Sequence, residues 1–192
     1  ALVPIVIFFI FVPPPPACLG FCSSFDLCEF GFLAFFDASV EGSNGTDVVA
    51  HHGAAISPPD DLNGEQYYVH QHQIDHNLVL EGGRIYTLLN PQWDQPHHVI
   101  HLIRAMGALQ IPIGTFHRSV SAESGSVVLN QSIRDQAFDF ATEFIPVSLH
   151  GNRALQAARA QTPWVWTFRD GHICRSLGLE GGVGASCLPV TA

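Results

Sequence analysis

Three histidines, His70, His72 and His76, fall within seven residues of the stretch GEQYYVHQHQIDHNLVLEGG that runs from Gly64 to Gly83. Neutral imidazoles are ready metal ligands near physiological pH. In an extended strand alternate side chains share a face, so His70 and His72 emerge on one side about 7 Å apart. Two rings so placed can converge on one ion if the strand curves around it. A turn at Gln73-Ile74-Asp75 would return His76 from the adjacent strand onto the same interior. Asp75 points away from His76 if that strand is regular, and Glu81 has the wrong spacing for a ligating carboxylate. Tyr68 shares strand parity with His70 and His72, which makes it a candidate pocket wall or hydrogen-bond donor and, with His76, a candidate catalytic residue. A fourth group has to come from a distant segment. In MGALQIPIGTFHRSVSA, His117 follows Pro112-x-Gly114, a tight turn that aims the histidine back into the interior.

These residues need a scaffold of short strands, and the chain supplies one. From about residue 63 the segments EQYYVHQHQ, HNLVLEG, RIYTLLN, HHVIHLIRAMGALQIP, RSVSA and GSVVLNQSI are strand-like, separated by Gly82-Gly83, Asn90-Pro91 and Ser124-Gly125. Short strands without intervening helices argue for an all-β sandwich or barrel. GNRALQAARAQ, ended by Pro163, is the best helix candidate, and WVWTFRDGHICR reads as a hairpin around Asp170-Gly171. Residues 1–45 read as a hydrophobic, poorly defined N-terminal extension, 46–175 as the barrel and 176–192 as a C-terminal tail. ALVPIVIFFIFV lacks the basic start of a signal peptide and is too short for a membrane span before Pro13–Pro16. Cytoplasmic location and no membrane partner are the expectations.

The chain is 47% hydrophobic and 13% charged, which excludes global disorder, and its net charge of -9 argues against a nucleic-acid partner. All eight basic residues are arginine, so Schiff-base and P-loop lysine chemistry are ruled out. Arg84, Arg104 and Arg118 are equal candidates for an anionic substrate. The five cysteines form no convincing framework, since their number is odd and no C-x-x-C pair occurs. His97, His98 and His101 have no distant partner and read as packing. His51-His52, adjacent and pointing apart in a strand, read as incidental. Asn44-Gly45-Thr46 and Asn130-Gln131-Ser132 match glycosylation acceptors.

The two histidine segments resemble the paired motifs of the cupin superfamily. Gly64-x5-His70-x-His72-x3-His76-x6-Gly83 is similar to its first motif in every spacing, with His76 where the family has glutamate. Gly107-x4-Pro112-x-Gly114-x2-His117 resembles the second, one residue short before the proline and with Ser121 in place of asparagine. VVLNQSIRDQAFDFATEFIPVSL also resembles segments of small bacterial cupin-domain proteins. The resemblance implies an all-β, cupin-type double-stranded β-helix (jelly-roll barrel) with one short C-terminal helix. It implies a divalent transition metal held by His70, His72, His117 and His76. An all-nitrogen set suits Fe(II) first, with Zn(II), Ni(II) or Cu(II) as alternatives.

The function so implied is a metal-dependent enzyme, a dioxygenase or an isomerase or lyase, acting on a small oxygenated molecule. His76 acts there either as a fourth ligand or as a base. A non-enzymatic small-ligand or metal-binding module is the first alternative. The second is a metal-free protein resembling the deoxysugar epimerases, which rely on a His base with a carboxylate partner and a Tyr acid. Pairing of barrels through sheet edges into a homodimer is a habit of the family.

Overall fold

Apolar and polar residues alternate along most of the chain, and that period-two pattern builds strands rather than helices. The computed structural model describes residues 7–8, 33–41, 47–57, 64–134, 141, 145–178 and 185–190; side chains are described from residue 64 onward, except those of 123 and 124. The readings of Pro13–Pro16, Cys18, Cys22, Cys28 and Asn44 lie outside these residues, as do the side chains of His51 and His52. The strands are β1 (Ile7–Phe8), β2 (Leu33–Glu41), β3 (Asp47–Ser57), β4 (Gln66–Val69), β5 (Gln73–Leu89), β6 (His97–Ile103), β7 (Ala108–Ile111), β8 (Phe116–Arg134), β9 (Ile145–Ser148), β10 (Trp164–Arg169), β11 (His172–Leu177) and β12 (Ser186–Pro189). Among the described residues a helix, α1 (Arg153–Arg159), and a 3-10 turn at Arg104–Met106 accompany them. The molecule is an all-β jelly-roll barrel with one short helix.

Two long strands organise it. The first half of β5 pairs with β7 and with the second half of β8, while its second half pairs with β6 and the first half of β8. Gly82-Gly83 and Ser124-Gly125, expected to separate strands, instead lie within β5 and β8. The register of the pair shifts between Val79 and Glu81 and again between Gly82 and Arg84. Gly82 sits there at φ 71, and a Cβ on it would strike the Gly125 carbonyl oxygen. Such bulges bend a strand and reverse which face its side chains take. Before the bend the buried residues of β5 are Gln73, Asp75, Asn77 and Val79; beyond it Tyr86 and Leu88 join Val79 in one core.

β6 carries this core outward, with Ile100 and Leu102 facing in, and lies parallel to β10. β10 and β11 form the expected hairpin, its turn held by Asp170 and Gly171 at φ 48 and φ 78. Cys174 and Cys187 face each other across β11 and β12 and are joined by a disulfide. The sequence offered no convincing cysteine framework because these two, thirteen residues apart, become opposite neighbours only when both strands form. β2, within 1–45, and β12, within 176–192, both pair onto the sheet. No helix among the described residues is long and apolar enough to cross a membrane.

His98 of β6 is a packing group. His98 is 8% exposed; its Nδ1 accepts from Trp166 Nε1 at 3.1 Å and its Nε2 donates to the Gln95 carbonyl at 3.1 Å. Burial therefore keeps His98 neutral, with its pKa pushed down to about 4. In the unfolded chain the same ring protonates near 6.5. Between those values the unfolded state binds the extra proton, so stability falls as pH falls. The thermal unfolding midpoint is expected to drop as pH is lowered from about 6.5 to about 4. His98→Gln should flatten that segment of the profile; an unaltered slope would remove His98 from the account.

Candidate metal centre

β4 ends at Val69, and the chain bends at Gln71 and His72 before β5 begins at Gln73. The turn thus comes two to three residues earlier than the expected one at Gln73-Ile74-Asp75. Two consequences follow for the sequence-derived residues. Tyr68 does not share a face with His70: it is 41% exposed, whereas Tyr67 is buried and so is His70. His76 does not return onto the interior that holds Asp75, because both lie in one regular strand and take opposite faces.

His70 is held in place through its backbone. The amide of Gly114 donates to the His70 carbonyl at 3.0 Å, tying it to the β7–β8 turn. That turn is closed by Thr115 N–H to the Pro112 carbonyl at 3.2 Å, with Gly114 at φ 74, a conformation glycine adopts without strain. Three residues on, His117, the second residue of β8, stands opposite Tyr68. The His70 and His117 rings come to 4.7 Å between centroids. The pairing of these two distant histidines, expected from the sequence, is therefore present.

The third member is Asp75. Potential ligand atoms of His70, Asp75 and His117 all lie within 4.8 Å of one another, and His72 and His76 are outside that group. Asp75 is 5% exposed and its carboxylate is surrounded by donors. His70 Nε2 donates to Oδ2 at 3.1 Å and Asn130 Nδ2 at 3.2 Å; Gln73 Nε2 donates to Oδ1 at 2.6 Å and the Ser132 hydroxyl at 3.1 Å. Behind them Arg134, 2% exposed, donates to Gln73 Oε1 at 3.1 Å. Burial alone would raise the Asp75 pKa. The His70 hydrogen bond, the His70 and His117 charges and Asn130 outweigh it and hold the pKa down to about 2. His117 is driven down in turn, by burial first and then by the neighbouring His70.

Asp75 and His76 take opposite faces, as strand parity requires, but the inward one is Asp75 and not the expected His76. The usable signal was cross-strand: Gln73, Asp75 and Asn77 stand opposite Arg134, Ser132 and Asn130 in the β5–β8 register. Facing alternate residues that are polar mark a hydrogen-bonded interior in place of an apolar one. Asn130, the first residue of the Asn130-Gln131-Ser132 match, directs its amide to Asp75 and Asn77.

The residues fit a metal. The separation of the three ligand atoms approaches what bonds of about 2.1 Å to a common ion demand. His117 Nδ1 donates to the Thr115 carbonyl at 3.0 Å, leaving Nε2 without a proton and with a lone pair to give. His70 and Asp75 are currently joined by a proton that an ion would displace. Asn77 Nδ2, buried on the same face, has no hydrogen-bond partner among the described residues.

No family model matches the chain, and no curated protein matches it. Solved structures give likenesses of fold. A hypothetical protein from Leishmania major is 10% identical with a TM-score of 0.46, covering 67% of this chain and 89% of its own. Peruvianin-I, a cysteine peptidase from Thevetia peruviana latex, is 15% identical with a TM-score of 0.41, covering 64% and 72%. An oxalate decarboxylase is 12% identical with a TM-score of 0.40, covering 59% of this chain and only 28% of its own.

Asp75→Asn should abolish tight binding of Zn(II) or Co(II), whereas His76→Gln should bind like wild type. Ser132→Ala, which removes a support of Asp75, should weaken binding by about tenfold. Isothermal titration of the three variants decides; equal losses for Asp75→Asn and His76→Gln would return His76 to the site.

Proposed function

We propose that the chain is a cupin-type metal-dependent enzyme acting on a small oxygenated molecule, with His70, Asp75 and His117 as its metal ligands. The observation that carries this is the donor set: two imidazoles and one carboxylate converging from β5, β8 and the segment after β4. Two histidines and one carboxylate with open positions are the ligand pattern of non-haem Fe(II) oxygenases, so Fe(II) and a dioxygenase are the favoured versions. Bound there, the ion supplies Lewis acidity and a place for oxygen ligands. The chain's own residues do the rest. Asp75 offsets part of the ion's charge, His117 is oriented by the Thr115 carbonyl, and Asn77 Nδ2 is the donor for a substrate oxygen. His76 and Tyr68 take no part in this scheme.

One contact favours a second reading. The His70–Asp75 hydrogen bond of 3.1 Å is also the His base with a carboxylate partner that a metal-free epimerase-like proton abstraction requires. The Cys174–Cys187 link, for its part, favours an oxidising compartment over the cytoplasm expected from composition.

Elemental analysis of protein purified without added metal, followed by oxygen uptake with candidate diketones, phenols and thiols, separates these readings. Stoichiometric iron with substrate-dependent O2 consumption supports the dioxygenase. Turnover that persists in chelator and is lost in both His70→Ala and Asp75→Asn supports the metal-free dyad. Absence of metal after incubation with Fe(II), Zn(II) and Ni(II) would overturn the metal reading.

A further inference from the structure

Outside the barrel interior, a cleft of about 460 Å³ lies between the outer face of β6 and the segment that leaves α1. His97, Val99 and His101 form its floor, being the alternate face to Ile100 and Leu102 of the core. Pro163 and Val165 form an apolar wall, and Arg159, in the last turn of α1, stands at the rim. The volume lies in the range of small-molecule sites, which pair apolar walls with a few placed polar groups.

The charge balance of Arg159 is unusual. Its Nη1 donates to His97 Nε2 at 3.2 Å, and it also hydrogen-bonds the Tyr67 hydroxyl. Both partners are neutral groups: His97 spends its Nδ1 proton on the Gln161 carbonyl at 2.9 Å and is buried. No carboxylate among the described residues pairs with this guanidinium. His101, two residues along the floor from Val99, makes no side-chain hydrogen bond among them either. A half-buried cation fixed by neutral partners keeps its remaining donors for an external acceptor, and guanidinium geometry matches a carboxylate.

We propose that this cleft binds a small organic carboxylate, its anionic end on Arg159 and His101 and its apolar body against Val99, Pro163 and Val165. The site stands apart from Asp75, which faces the barrel interior, so it is separate from the metal centre and does not depend on it.

Saturation-transfer NMR on the full chain at neutral pH, with benzoate and its neutral isostere benzamide as probes, tests this. Benzoate is expected to bind saturably, with benzamide and the Arg159→Gln variant each weaker by about tenfold or more, the scale of a charge-assisted hydrogen bond. Asp75→Asn should bind benzoate as wild type does. Arg159 supports two buried residues, so Val99→Trp, which fills the floor, and His101→Ala provide the reading if Arg159→Gln does not fold. Loss in the first and weakening in the second support the site. Equal binding of benzoate and benzamide, no saturable benzoate binding, or loss in Asp75→Asn with retention in Arg159→Gln would overturn it.

Discussion

An ionised carboxylate inside a protein has to be surrounded by donors, because an unpaired buried charge costs several kcal/mol. Asp75 imposes that requirement on the barrel. Its two oxygens are met by one imidazole, two amides and a hydroxyl, drawn from both sides of the β5–β8 ladder and from the bend after β4. Because the cross-strand partners Gln73–Arg134, Asp75–Ser132 and Asn77–Asn130 are also hydrogen-bonded groups of one network, a slip of one residue would strip the carboxylate of its donors at once. The network therefore specifies the register of the two longest strands as well as the charge state of the site.

The second organising contact is short and made of backbone. Gly114 N–H to the His70 carbonyl joins the β7–β8 turn to the chain leaving β4. Without it the two histidines would belong to segments that share only the Tyr68–His117 pair. With it, residues 47 positions apart in sequence face each other across the interior, and the Thr115 carbonyl sets the ring of His117. Placement by backbone leaves the imidazole nitrogens available for chemistry.

Much of this was legible in the residues. Alternation, turn signals and the helix-favouring run before Pro163 led to the all-β architecture with one helix, the Asp170-Gly171 hairpin and the packing role of His97 and His98. The turn at Pro112-x-Gly114 led to the His70–His117 pairing. What escaped was three-dimensional in origin. Where β5 begins decides whether Asp75 or His76 faces inward, and that depends on a bend at Gln71–His72 with neither glycine nor proline in it. Gly82-Gly83 and Gly125 looked like turns because positive φ values occur in both turns and bulges. The Cys174–Cys187 pair depends on a strand, β12, whose four residues are all exposed and show no alternation.

The bulge at Gly82 acts as a phase shifter. Upstream of it the inward positions of β5 are odd-numbered and three of the four are polar; downstream Tyr86 and Leu88, even-numbered, extend the oily core. One strand thus carries two messages in different reading frames, a ligand-lining one and a core-packing one. Each can drift in sequence without rotating the other out of place. An added or deleted residue elsewhere in β5 would turn one of the two inside out, while the corner of the barrel is the place where the count can change.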